Sequence, residues 1–224
     1  MSRFLAPFIA FCFVIMPACI YPAQEEIPPV VSVVDGHESE EETLQKCLQD
    51  LTSPDRQIRL RAVMVMAKYS HPMATKGIRD ALADQDQDVR HSAVVAAIEA
   101  SIISDRETTS LLLNLLDDPN VHTRRTISTF LPNFIGRGSS SILMVNGQQR
   151  VTRRSDPAEI RLVVKAFSDP DPTVRKNMLS HLNIIRLAIP ELESLPQVLI
   201  PLLKDKNHEI RLLALSEFGQ TAGQ

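Results

Sequence analysis

From Glu41 onward the apolar residues of this chain return every three or four positions, the period of a helix that buries one face. Leu44, Cys47, Leu48 and Leu51 form the first stripe. Ile58, Ala62, Val65 and Met66 form the second, and Val89, Ala93, Ala96, Ala97 and Ala100 the third. Between the later long stripes lie shorter apolar stretches, Thr109 to Leu116 and Leu195 to Leu203, which complete helical hairpins. Small residues on one helix let the next pack close, so the pattern predicts an all-α chain of stacked helix pairs.

The polar residues between the stripes also repeat. An acid or its stand-in is followed five residues later by a β-branched residue and then by an arginine. The copies begin at Ser53, Asp84, Asp118, Asp169 and Asp205 and end on Arg59, Arg90, Arg124, Arg175 and Arg211. Asp, Pro and Asn in each phrase suit a turn and a helix N-cap, so each phrase is read as the start of a helix. A carboxylate there accepts backbone N–H groups and faces a favourable dipole, and arginine can offer it a bidentate fork. A unit that recurs at this interval is the signature of a solenoid, whose usual product is a shaped binding surface.

The phrase Asp-x4-[Val/Ile]-Arg, with Ala three residues on, resembles HEAT repeats, particularly the short HEAT-like units of the phycobilin-lyase type. The resemblance covers about Glu41 to Gly219. It implies an α-solenoid of stacked HEAT-like helical hairpins in which the acids and arginines form a ladder between neighbouring repeats. On that reading Asp84, Asp118, Asp169 and Asp205, with Arg59, Arg90, Arg124, Arg175 and Arg211, are fold residues. Ser53 replaces the acid in the first copy and Thr123 the aliphatic residue in the third.

The arginines are spaced 31, 34, 51 and 36 residues apart, so the third interval holds an insertion. Composition locates it at residues 136–155. There β-branched residues flank Asn146-Gly147, and that dipeptide is the strongest short-range signal for a β-hairpin, since both turn positions need positive φ. One inserted β-hairpin is therefore expected. Between Pro119 and Ser155 lie six arginines and no acid. With Arg124 assigned to the ladder, Arg125, Arg137, Arg150, Arg153 and Arg154 are the candidate partner-binding residues, suited to an acidic partner. Insertions in repeat proteins emerge on one face and often carry the binding determinants.

The N-terminus has another character. Arg3 precedes an almost wholly apolar run from Phe4 to Met16, too short for a confident membrane span and interrupted by Pro7, which reads as a signal peptide over residues 1–18. Met16-Pro17-Ala18-Cys19 resembles the lipobox of bacterial lipoproteins, which implies a lipid on Cys19 and attachment to a membrane in the cell envelope. Residues 19–40 form a tether rich in proline and acid. Seven acids and no Lys or Arg fall between Glu25 and Glu42, so this segment is expected to stay solvated. Cys47 sits on an apolar stripe and reads as a buried thiol.

Signals for chemistry are poor. The six histidines are scattered singly, with no His-Glu-x-x-His and no cysteine pair for a metal, so no catalytic residue, metal or cofactor is expected. A net charge of −3 argues against nucleic-acid binding. The expectation is an exported, lipid-anchored scaffold for protein-protein interaction, with 41–219 as the repeat domain and 220–224 as a tail. A phycobilin-lyase-like enzyme and a self-assembling envelope protein are the alternatives. The last helix, apolar on more than one side through Ile210, Leu212, Leu213, Leu215 and Phe218, either packs against something or is capped by its short tail.

Overall fold

The computed structural model describes residues 39–103, 106–135, 141–145, 148–152, 156–189 and 195–222. The chain divides into Met1–Glu38, outside the described residues, and Ser39–Gln224, which holds every element below. The expected signal peptide, Cys19 and nearly all of the tether therefore lie outside the described residues. Ser39 and Glu40 do not, because the first helix has already begun there.

Eleven α-helices are described: α1 (Glu40–Asp50), α2 (Arg56–Met66), α3 (Pro72–Ala81), α4 (Gln87–Glu99), α5 (Arg106–Asn114), α6 (Val121–Phe134), α7 (Pro157–Ala166), α8 (Pro172–Ser180), α9 (Leu182–Ala188), α10 (Leu195–Leu202) and α11 (His208–Ala222). A 3-10 turn, Leu115–Asp117, continues α5. Two short strands, β1 (Ser141–Val145) and β2 (Gln148–Thr152), lie between α6 and α7 and pair antiparallel, with Val145 opposite Gln148 and Leu143 opposite Arg150. Asn146 and Gly147, where the turn was expected, are outside the described residues.

Successive helices pair as hairpins: α1 with α2, α3 with α4, α5 with α6, α7 with α8 and α10 with α11. The second helices form one continuous layer in which α2, α4, α6, α8 and α11 each pack on the next. In the other layer α1 meets α3 and α5 meets α7. This is a helical-repeat solenoid. The helix α9 is additional to the pairs and is separated from α8 only by His181, whose backbone leaves the helical region.

Local chemistry explains the boundaries. The Ser39 hydroxyl accepts from the Glu42 N–H, and the Glu42 carboxylate accepts from the Ser39 N–H, a reciprocal capping box that starts α1. The five second helices are capped by Asp55, Asp86, Asn120, Asp171 and Asn207, each two residues beyond the first residue of its phrase. The phrase-initial acids are thus not the N-caps. Each instead accepts the N–H of the cap residue, at 2.8 Å in all four acid-bearing copies, which leaves its second oxygen for another donor. Ser53 does the same local job with its hydroxyl at 3.2 Å.

Core residues come from every hairpin, among them Leu44, Met66, Ile78, Val94, Leu112, Leu131, Phe167, Met178, Ile185 and Ile210. Cys47 is buried with them. Gly77 lets α3 pass over Met66, because a Cβ there would run into the Met66 sulfur. Thr123 fills the position that Val89, Val174 and Ile210 fill in other repeats, and it is fully buried. Its Oγ1 finds no hydrogen-bond partner. An unsatisfied buried hydroxyl costs roughly 1–3 kcal/mol. Thr123→Val, nearly isosteric, is therefore expected to stabilise the protein by about 1–2 kcal/mol, read as a higher urea midpoint at unchanged m-value.

Candidate interaction surface

The repeat arginines point in a common direction along the array. Arg59 places Nε 2.8 Å and Nη2 3.0 Å from the two oxygens of Asp84, in the next repeat. Arg90 reaches Asp118 at 2.6 Å, Arg124 reaches Asp169 at 2.7 and 3.2 Å, and Arg175 reaches Asp205 at 2.6 and 2.9 Å. In each case Nη1 donates backward to two carbonyls of the arginine's own turn, such as Ser53 and Pro54 for Arg59. One guanidinium thus fastens its own turn and holds the next. Arg211 makes the backward bonds, to the Asp205 and Lys206 carbonyls, but no carboxylate lies in front of it among the described residues.

Ser53 stands in the place of the acid in the first copy, and among the described residues no arginine of a preceding repeat reaches it. The rung from Arg124 to Asp169 crosses the insertion, and it is not alone. Arg125 forms a second bidentate pair with Asp171, at 3.1 and 2.6 Å. Asn177 donates to the hydroxyls of Ser128 and Thr129, and Lys165 pairs with Asp117 at 2.6 Å. The stack therefore closes across the insertion as tightly as elsewhere.

Of the expected site residues, Arg125 sits beside the insertion and forms the bidentate pair with Asp171 that fastens α6 to α8. Arg150 lies in β2, opposite Leu143. Arg137, Arg153 and Arg154 lie outside the described residues. Elsewhere in the outer row, Lys176 pairs with Glu209 and Arg56 with Asp88, while the corresponding place between α4 and α6 holds His91 and His122, their rings 6.3 Å apart.

Burial and the neighbouring His122 lower the pKa of His91, and its Nδ1 is buried without a partner. The Arg125 hydrogen bond lowers the Asp171 pKa, and the Arg175 hydrogen bond lowers that of Asp205. Among the described residues no group of three or more His, Cys, Asp or Glu could hold a metal ion, and no helix is long and apolar enough to cross a membrane.

A HEAT-repeat family model matches residues 42–131. The X-ray structure of YibA from Escherichia coli is similar at TM-score 0.52, with 14% identity over 78% of this chain and 57% of that one. This chain thus spans little more than half of YibA. A computationally designed armadillo repeat protein for modular peptide recognition aligns at 0.49, with 15% identity over 79% of this chain and 81% of that one. The CpcE–CpcF complex of phycocyanin lyase from Nostoc sp. PCC7120 aligns at 0.38, with 17% identity over 84% and 80%. No curated protein matches the sequence. At 14% identity the likeness to YibA is one of fold.

Two outcomes follow from the rungs. Asp169→Ala leaves the guanidinium of Arg124, 12% exposed, without its carboxylate. Breaking a buried pair from one side costs about 3–5 kcal/mol. Asp117→Ala, which removes an exposed partner of Lys165, is expected to cost under about 1 kcal/mol, and urea melts of the two variants measure the contrast.

On acidification, stability is expected to fall in two stages. A histidine with a lowered folded pKa takes its proton more readily when unfolded, so its contribution is lost as pH drops below the ordinary value of 6.5. Asp171 and Asp205 contribute fully above the ordinary carboxyl value of 3.8 and lose that contribution as pH falls through their lower folded values. Urea midpoints from pH 7.5 to 3 should show both stages, with His91→Gln reducing the first, to which the half-buried His181 also contributes, and Asp205→Asn reducing the second, which Asp171 shares.

Proposed function

We propose that this chain is an exported scaffold, anchored to a membrane through a lipid on Cys19, that binds an acidic protein partner through its arginine-rich insertion. The observation that carries this reading is the closure of the stack across residues 136–155. Arg124 meets Asp169 there at 2.7 Å, as the other rungs meet across intervals with no insertion. The inserted residues are therefore surplus to the fold, and the β1–β2 hairpin with Arg137, Arg150, Arg153 and Arg154 is left for recognition. The acid-free stretch from Pro119 to Ser155 supplies the positive potential that would select an acidic surface and speed its encounter.

The leader and the Met16-Pro17-Ala18-Cys19 sequence support export and lipid attachment, with the acidic, proline-rich segment as the spacer that sets reach from the membrane. The repeat fold itself supports scaffolding over catalysis, since stacked hairpins offer extended surface.

Replacing Arg137, Arg150, Arg153 and Arg154 with Gln together tests the reading. Thermal melting should stay within about 2 °C of the parent, as the proposal makes these arginines surplus to the fold. Capture of acidic envelope proteins by the immobilised chain should be lost, and in the parent it should weaken with rising salt. Capture equal to the parent's would overturn the arginine assignment. Metabolic labelling with palmitate, present in the parent and absent in Cys19→Ser, tests the anchor.

A further inference from the structure

The last second helix carries the features of an internal repeat at a place where nothing described follows it. Four residues after the ladder arginine, Val63, Val94 and Ser128 are 0% exposed and Leu179 is 1% exposed, whereas Leu215 is 57% exposed. Those four positions lie on helices that a following second helix packs against, since α2 meets α4, α4 meets α6, α6 meets α8 and α8 meets α11. Leu212 beside Leu215 is 53% exposed.

Arg211 tells the same story in charge. Its Nη1 is pinned to the Asp205 and Lys206 carbonyls at 2.8 and 3.2 Å, which aims the fork as in the four filled rungs. Nη2 rests 3.4 Å from His208, and Nε holds no acceptor among the described residues. The first repeat is built the other way: Ser53 replaces the rung acid there. A second copy stacked head to tail would present that serine to Arg211, so it cannot fill the fork.

We propose that the outward face of α11 docks a helical hairpin of a partner protein whose turn carries a carboxylate, seated as though it were the next repeat. The apolar contact is made by Leu212 and Leu215, and Arg211 receives the carboxylate in the bidentate geometry that Arg59, Arg124 and Arg175 display. A buried, two-pronged contact of this kind sets register as well as affinity. The proposal deepens the scaffold reading but does not depend on the arginine insertion.

The test uses the full chain in its native cells with a photo-crosslinking benzoylphenylalanine in place of Leu215, followed by mass spectrometry of the joined peptides. The expected product joins α11 to a peptide of another protein that holds Asp or Glu at a turn between two helices. Arg211→Gln should lower its yield roughly tenfold or more, as loss of one member of a desolvated charge pair does. As Arg211 also ties its own turn, a second variant keeps the test decisive: with the crosslinker at Leu212, exposed Leu215→Glu should abolish the product while the thermal melt stays that of the parent.

A product with a second copy of this chain, a product with its own Glu25–Glu38 segment, no product, or yields indifferent to both substitutions would each overturn the proposal. The fourfold Arg→Gln variant of the insertion should crosslink like the parent. Failure here with insertion-dependent capture intact would remove this surface and leave the scaffold reading standing.

Discussion

Everything in the array depends on a guanidinium shared between two turns. Nη1 satisfies two carbonyls left over at the arginine's own helix start, while Nε and Nη2 close on the carboxylate of the following repeat. That carboxylate in turn accepts the N–H of its own cap residue. Backbone groups that would otherwise be orphaned at every turn are paired by the same atoms that join the repeats. Such buried pairs are not strong stabilisers when compared with apolar packing, but half of one is costly. Their effect is to fix register. A slip of one position along the stack would strand charge on both sides of an interface.

The rungs also make the molecule quasi-one-dimensional. Each second helix touches the one before and the one after, so stability is a sum of hairpin terms and neighbour terms, and damage at one interface stays near it. The outer row varies where the inner row does not. Arg125 with Asp171 and Lys176 with Glu209 are charge pairs, whereas His91 with His122 occupies the matching place between α4 and α6. At that step burial and the neighbouring ring favour the neutral form of His91, so its protonation opposes folding.

Much of this was legible in the sequence because a periodic fold writes itself repeatedly. The phrase marked every second helix from α2 to α11, and the stripes of threes and fours placed their buried faces. The stretched interval located the extra residues between Arg124 and Arg175. Three things were not legible. The N-caps fall two residues inside the phrase, at Asp55, Asp86, Asn120, Asp171 and Asn207, since both positions hold residues that can cap and only geometry divides the work between them. The helix α9 was hidden because the apolar pattern runs on from α8 through Leu182 and Ile185 without a turn signal. Arg125 read as part of a basic run because its partner, Asp171, lies 46 residues away. A charge run in sequence does not show which of its members are already spoken for.

The interval of 45 residues between Arg124 and Asp169 bears on how such a protein can change over generations. The corresponding separations elsewhere are 25, 28 and 30 residues. Loop-closure entropy grows only with the logarithm of length, so the longer excursion costs about 0.4 kcal/mol more than its neighbours. At so small a penalty the segment between α6 and α7 is a socket, open to lengthening, shortening or wholesale replacement while the flanking helices keep their grip on each other.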